Sequence, residues 1–354
     1  MDIFDTLSHL GYGELCFGFD AASGLRAIVG IHSTRLGPGI GGTRIYPYET
    51  EAAAIDDVTR LAQGMSYKAA TARLPHGGGK AVIIAPRDLP TWSVEKRANL
   101  FRAFGRFVDS LGGRYITTED SGTSPTDMDV VRTVTKHVLG TSPEKGGSGD
   151  PSPFTALGVR RGIEAIAHKI FNKPDLKGLH VAVQGVGHVG AHLARELHNA
   201  GARLTICDVD ATRRAAIAAE LGAAVVDVDK ILEVECDILA PCALGGALTE
   251  SVVPKLKTKA VAGAANNQLR TPAVGTALQA RGIWYAPDYV INGGGLINVA
   301  AEYAGYDAVK ARKKTTEIYD TIANIIDRSR VEKAQPEVIA DKMAQEIIAA
   351  GPQK

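Results

Sequence analysis

Two lysines, Lys68 and Lys80, stand in the stretch GMSYKAATARLPHGGGK that runs from Gly64 to Lys80. Lys80 follows His76-Gly77-Gly78-Gly79 and leads into the apolar run AVIIA. A lysine drawn out of water gives up its proton more readily, which suits it to act as base or nucleophile. Glycines beside it let the backbone come close to a ligand, because no Cβ intervenes. Taken alone, each lysine also reads as a solvated side chain near a flexible turn, the commonest fate of the residue type. Acids are available nearby in sequence: RYITTED reads as a strand that ends at Glu119-Asp120. Two acids at a strand end also read as a solvated turn or a helix cap.

A second motif carries more information. LHVAVQ (179–184) is a continuous apolar strand, Gly185-Val186-Gly187-His188-Val189-Gly190 follows at once, and a helix runs on through AHLARELHNAG. Arg203 to Cys207 reads as the next strand and ends at Asp208. A GxGxxG between strand and helix, with an acid about 20 residues further on, predicts a dinucleotide site. The first glycine permits the tight turn, the second admits the pyrophosphate, and the third packs helix on strand. The helix N-terminus offers free N–H donors to the phosphates. Asp208 would accept hydrogen bonds from the adenosine ribose and repel a 2′-phosphate, so NAD is expected rather than NADP. Asp210 is the rival for this role and reads more simply as a solvated loop acid.

The elements that must position these residues fall into two groups. In the first half, Gly24–His32 reads as a strand, Gly37–Gly42 as a glycine-rich loop, and Glu51–Ala70 as a helix with Lys68 one turn beyond Met65. Gly77–Gly79 reads as a turn before the strand AVIIAP, followed by helices at Trp92–Leu111 and Thr126–His137. GTSPEKGGSGDPSP (140–153) is the best linker candidate, which puts a domain boundary near 145. In the second half, strands and helices alternate: helix 211–221, strand AAVVD, helix 228–234, strands CDILAP and AVAGA, helix 272–281 and strand IWYAPDYVI. Apolar strands alternating with helices imply a parallel sheet covered on both faces. Residues 300–354 read as helices that pack on a core or on another subunit.

Composition narrows the function classes. The 354 residues suggest two domains, and a net charge of +1 favours neither nucleic acid nor an anionic membrane as partner. The start, MDIFDTLSHL, lacks a basic secretory region, and no run is long enough to span a membrane. The four cysteines form no CxxC pair, and His188 and His192 lack an HExxH frame, so no metal is expected. A cytoplasmic protein is expected.

Several longer stretches resemble one family. LGPGIGGTRIYPY (36–48), GMSYKAA and GGGKAVI (64–83), GRYITTEDSGT (113–123), VAVQGVGHVG (181–190), CDILAPCALGG (236–246), GAANNQL (263–269) and APDYVINGGGLINVAAEY (286–303) are similar to motifs of the glutamate/leucine/phenylalanine/valine dehydrogenases. The likeness is strongest to the leucine-dehydrogenase branch, which includes phenylalanine and tryptophan specialists. It implies an α/β fold: an N-terminal substrate and oligomerisation domain (1–145), a Rossmann NAD-binding domain (146–329) and a cleft between them. Helices from about 330 to 354 would pack back on the first domain. It also implies a homo-oligomer, from dimer to octamer.

By this resemblance, Lys68 holds the substrate α-carboxylate, helped by Asn267 and with Gly41, Gly42 and Met65 against it. Lys80 is the catalytic base and Asp120 the acid paired with it. The cofactor would be held by Gly185, Val186, Gly187, His188, Val189, Gly190, Asp208, Val209, Thr155, Cys242, Ala243, Ala264, Asn267 and Asn292. The side-chain pocket would be Ile40, Gly41, Thr118, Leu296 and Val299. No cation lines it, so a second carboxylate would be left unpaired there, and leucine, valine or isoleucine is expected. Thr118 and Leu296 stand where the leucine enzymes usually carry alanine and valine, which shrinks the pocket. Gly293 replaces an alanine, which relaxes it, and Ser121 replaces the usual valine after the acidic pair. A phenylalanine- or tryptophan-preferring member is the alternative within the family. A 2-hydroxy-acid dehydrogenase or a non-catalytic NAD-binding sensor would share the Rossmann half, yet neither needs Lys80 and Asp120 together.

Overall fold

The structure is a computed structural model that describes residues 3–11, 13–243 and 245–352. Leu244, inside the CALGG match, and the outermost residues of the expected domain spans lie outside the described residues. Contacts divide the chain into two units, one of Met1–Gly149, Val299–Ala308 and Ala344–Lys354, the other of Asp150–Asn298 and Val309–Met343. The division falls a few residues after the expected 145. Of the expected 330–354 return, only the last eleven residues count with the first unit.

The first unit is a three-layer sandwich. Its elements are α1 (Ile3–Leu10), β1 (Glu14–Asp20), β2 (Leu25–Ser33), β3 (Gly39–Tyr46), α2 (Glu51–Thr71), β4 (Gly77–Ile84), α3 (Val94–Ser110), β5 (Tyr115–Glu119) and α4 (Pro125–Arg132). The sheet order is β1-β2-β4-β3-β5, with β3 parallel to both β4 and β5 and β2 antiparallel to its neighbours. Side chains alternate between faces along a strand, and the two cores follow that alternation. Ala27, Val29, Ile31, Ala81 and Ile83 pack on α3 and α4 through Leu100, Phe101, Phe104, Val108, Met128 and Val131. Ile28, Val82 and Ile84 pack on α2 through Ala54, Ile55 and Val58. Lys80, two positions before Val82, therefore lies on the α2 face.

Two glycine segments that read as a loop and a turn are strands instead. Gly39–Gly42 open β3 and Gly77–Gly79 open β4. The reason is close packing. A Cβ at Gly78 would lie 2.0 Å from the Ser66 nitrogen of α2, one at Gly77 1.8 Å from the Ser33 oxygen, and one at Gly79 2.7 Å from the Tyr115 ring. The glycines let α2 and Tyr115 close on the sheet; the protein's own atoms fill the space that the sequence suggested was kept for a ligand. β1, which precedes the first expected strand, was not anticipated.

The second unit contains α5 (Ser152–Lys169), β6 (His180–Gln184), α6 (His188–Asn199), β7 (Arg203–Cys207), α7 (Ala211–Leu221), β8 (Ala224–Val225), β9 (Cys236–Pro241), β10 (Thr258–Val261), α8 (Pro272–Ala280), β11 (Trp284–Tyr285) and α9 (Asp288–Ile291). Then come α10 (Gly294–Ala300), α11 (Ala308–Thr316), α12 (Ile318–Glu332) and α13 (Pro336–Ala350). Its sheet is parallel throughout, in the order β11-β10-β9-β6-β7-β8. That is the doubly wound dinucleotide-binding order, with its switch point between β6 and β9.

Three local expectations change here. The strand expected over 283–291 keeps only Trp284–Tyr285, because Pro287 turns the chain into α9, whose Asp288 carboxylate accepts the Gln268 N–H at 2.9 Å. The helix expected over 228–234 is a single 3-10 turn at Ile231–Glu233. And α5 starts inside the expected linker, where Pro151 and Pro153 serve as helix-start residues.

Candidate active site

Sheet order explains how Lys80 and Asp120 meet. Lys80 is on β4, Asp120 follows β5, and β3 runs between them. Neighbouring strands are about 4.8 Å apart, so the two side chains must reach across β3. They do so over Gly42, where a Cβ would lie 2.7 Å from the Asp120 Cβ. The Lys80 ammonium donates to Asp120 Oδ2 at 2.9 Å, with the Lys80 side chain 8% exposed and that of Asp120 25%. Burial pushes the Asp120 carboxyl up, but the Lys80 ammonium, followed by the Arg44 guanidinium, outweighs it. The group sits below the usual carboxylate range.

Arg44 was not anticipated. It stands two positions beyond Gly42 on β3, and its Nε donates to the same Asp120 Oδ2 at 3.2 Å. Its Nη1 donates to Asp57 Oδ2 of α2 at 2.8 Å, and the Tyr48 hydroxyl donates to that oxygen at 2.5 Å. Burial and then Asp57 push the Tyr48 phenol far up, so Tyr48 stays a donor. The signal was present as the i, i+2 pair Gly42 and Arg44, but reading 37–42 as a loop hid the face they share.

The other residues expected to bind substrate are divided between the units. Met65 and Lys68 lie half-buried on α2, whose Ser66 packs on Gly78 of β4. A Cβ at Gly41 would strike the Gly79 oxygen at 1.8 Å and touch Met65 Cγ at 3.4 Å. Ile40 is fully buried and Thr118 is buried, its hydroxyl donating to the Glu119 oxygen at 3.2 Å. Val299 counts with this first unit, whereas Leu296 and Asn267 belong to the second. Asn267 is exposed with φ +50°, and its carbonyl accepts the Gly246 N–H at 2.7 Å.

The second unit gathers the residues expected to hold a dinucleotide at the switch point. Gly185 has φ +91°, and a Cβ at Gly190 would lie 1.9 Å from the Gly185 oxygen, so the third glycine packs helix on strand. Gly187 caps α6 without any side-chain bond to its first N–H groups, and a Cβ there would meet nothing nearer than Arg213 Nη1 at 4.0 Å. The loop is therefore open where a phosphate would approach. Ala243 packs against Gly185, and the Cys242 N–H donates to the Gln184 oxygen at 2.7 Å, which joins the ends of β6 and β9. Burial pushes the Cys242 thiol up to about 12, so it is neutral packing.

Asp208 is 6% exposed; its oxygens accept N–H groups from Val186 and Asp210, both at 2.8 Å. Asp210 instead caps α7 through the Arg213 N–H and is solvated. Val209 is exposed between them, with a bare apolar face beside the loop. Arg213 reaches both acids, at 3.4 Å to Asp208 and 3.2 Å to Asp210. Asn292 donates to the Ala264 oxygen at 3.1 Å and to Asn266 at 2.7 Å, while its own Oδ1 is buried with no donor. A buried acceptor without a donor is costly, and a carboxamide N–H would satisfy it. Thr155 donates back to the Pro151 oxygen at 3.2 Å and lies close to Gly295. An open glycine loop, an acid at the next strand end and an orphaned acceptor fit a nicotinamide dinucleotide.

Comparison with known proteins finds matches in both halves of the chain. Residues 17–137 match the model of the Glu/Leu/Phe/Val dehydrogenase dimerisation domain, and 146–212 with 206–349 match that of the Glutamate/Leucine/Phenylalanine/Valine dehydrogenase domain. A leucine dehydrogenase of Geobacillus stearothermophilus is 48% identical over 98% of this chain and 94% of its own. A valine dehydrogenase of Streptomyces coelicolor is 46% identical, covering 98% and 96%. The crystal structure of L-tryptophan dehydrogenase from Nostoc punctiforme superposes with a TM-score of 0.88 at 41% identity, covering 98% of both chains. With a lysine–carboxylate pair in one unit and a dinucleotide-binding sheet in the other, the chain belongs to the Glu/Leu/Phe/Val dehydrogenase family of amino-acid dehydrogenases.

Proposed function

We propose that this protein catalyses the NAD-dependent, reversible oxidative deamination of a branched aliphatic L-amino acid to its 2-oxo acid and ammonia. The observation that carries the chemistry is the Lys80–Asp120 pair, 2.9 Å apart, with the lysine almost fully buried and the aspartate partly so. Lys68 anchors the substrate α-carboxylate. Asp120, held ionised, takes a proton from the substrate ammonium, so that the nitrogen lone pair can help expel hydride from Cα. Bound NAD supplies the acceptor for that hydride. Water then adds to the substrate iminium as Lys80, the base, takes the water proton. Asp120 returns its proton to nitrogen, the C–N bond breaks, and the carbinol oxygen gives its proton to the Asp120 carboxylate; the departing ammonia carries that proton away as ammonium, and Lys80 releases the water proton to solvent. Amino acid, NAD and water thus give oxo acid, ammonium, NADH and one proton.

The reading of NAD over NADP rests on Asp208 and Asp210, which would face a 2′-phosphate with two carboxylates. Branched aliphatic preference rests on the uncharged residues Ile40, Thr118, Leu296 and Val299, and on relatives named for leucine and valine. A homo-oligomer is part of the proposal, supported by the match of 17–137 to a dimerisation domain. The test is NAD reduction with a panel of L-amino acids and 2-hydroxy acids. Turnover is expected with leucine, valine and isoleucine, and higher kcat/KM than for phenylalanine or tryptophan. No turnover with any amino acid would overturn the reading, and an aromatic optimum would overturn the aliphatic preference.

A further inference from the structure

Lys80 and Asp120 have a third partner that takes no part in the proton transfers. Asp120 Oδ2 is shared between two cations, Lys80 Nζ at 2.9 Å and Arg44 Nε at 3.2 Å. Arg44 is itself held from behind: its Nη1 meets Asp57 Oδ2 at 2.8 Å, and the Tyr48 hydroxyl secures that oxygen at 2.5 Å. Asp57 also meets the exposed Arg60 at 3.3 Å through its other oxygen. The members come from β3 and the loop after it, α2, β4 and the residue that follows β5, so the row runs through the layers of one unit. We propose that Arg44, locked by Asp57 and Tyr48, is a positioning residue that fixes the geometry and charge state of the Lys80–Asp120 pair. This rests on the catalytic roles assigned to that pair under the proposed function.

The physical case has two parts. First, a carboxylate oxygen shared by two donors from different strands has little freedom to rotate away, which keeps Asp120 aimed over Gly42 at the lysine. Second, the local charge is balanced in a row: Lys80 and Arg44 are positive, Asp120 and Asp57 negative. The charged groups facing Asp120 are Lys80 from β4 and Arg44 from β3, with the neutral phenol of Tyr115 also within its field. The Asp120 N–H bonds to the Thr123 hydroxyl, which fixes the backbone and carries no charge. Among the described residues, Arg44 is thus the cation of the row, besides the base itself, that acts directly on the acid.

Removing a cation from this row raises the proton affinity of every group left in it, and removing an anion lowers it. Two variants therefore move the acid side of the pH profile in opposite directions, whichever member of the pair that limb reports. The experiment measures kcat and kcat/KM for oxidative deamination of L-leucine against pH, in wild type, Arg44→Gln, Arg44→Lys and Asp57→Asn, with melting temperatures recorded in parallel. Arg44→Gln is expected to shift the acid limb to higher pH and lower kcat at neutral pH about tenfold, with KM for leucine changed less than about threefold. Asp57→Asn shifts the limb to lower pH. Arg44→Lys keeps the charge, though it lacks the fork that reaches both acids, so its limb stays nearer to wild type than that of Arg44→Gln. If the folded variants lose activity with no shift of the limb, or shift the same way, the proposal is overturned. If Arg44→Gln fails to fold, the direction of the Asp57→Asn shift decides. Absence of leucine turnover in the wild type would instead remove the functional reading on which this one stands.

Discussion

The two units use glycine in opposite ways. In the first, Gly77, Gly78 and Gly79 leave no free space: Cβ atoms there would lie 1.8, 2.0 and 2.7 Å from the protein's own atoms. In the second, Gly190 is used internally against the Gly185 oxygen, but Gly187 faces a gap whose nearest atom is the end of Arg213 at 4.0 Å. The same residue type closes layers together in one unit and leaves a doorway in the other. Glycine density alone does not identify a ligand loop; what matters is whether the room it leaves is already filled.

Substitutions can break or sharpen this contrast. The largest effect is expected at the first unit's chemistry. Lys80→Ala should lower kcat by roughly 10³-fold, while NADH binding measured by fluorescence titration stays near wild type, since no NADH ligand is altered. Near-normal kcat would exclude Lys80 as the base. Next comes packing. Gly78→Ala forces a methyl onto the Ser66 backbone and should destabilise by about 3 kcal/mol or more, at the upper end of overpacking costs. Gly187→Ala should change stability by less than about 0.5 kcal/mol and act instead on NADH affinity. Equal melting temperatures for the two variants would erase the difference between the packed and the open glycine.

The smaller effects lie at the cofactor end. Asp208→Asn keeps an acceptor but loses its charge, and should weaken NADH binding about tenfold, the scale of one hydrogen bond to a charged group. An unchanged dissociation constant would show that Asp208 serves only to hold the Val186 N–H. Arg213→Ala should be mildest. Without the guanidinium near Asp208 and Asp210, the two carboxylates repel a 2′-phosphate more strongly, so the NAD/NADP ratio of kcat/KM should rise a few-fold, on the scale of an exposed ion pair. A fall in that ratio would reverse the assigned electrostatics.

The second unit was the easier to read, for a physical reason. Each β-strand, glycine loop and helix there is contiguous, so the pattern from Leu179 to Asp208 holds its own explanation. The first unit's site depends on strands that are distant in sequence. That Lys80 and Asp120 touch follows from β3 lying between β4 and β5 with Gly42 at the crossing, and no local pattern contains that order. The resemblance supplied the pair; the geometry supplied its third partner, Arg44, and the support from Asp57 and Tyr48. Punctuation residues misled in both directions. Gly39–Gly42 suggested a loop where tight packing makes a strand, and the Pro-, Gly- and Ser-rich run before Phe154 suggested a linker where proline starts α5.

The chain's threading has a consequence for how the protein is made. Ala344, Ile347 and Ile348, at the end of α13, cover Leu36, Ala70 and Tyr67 of the first unit. A ribosome delivers those two partners at nearly opposite ends of synthesis. At ~5–20 residues per second, the patch around Leu36 and Ala70 waits roughly 15 to 55 s for its cover. During that wait the nascent first unit carries an uncovered apolar surface, while the whole dinucleotide-binding sheet is translated in between.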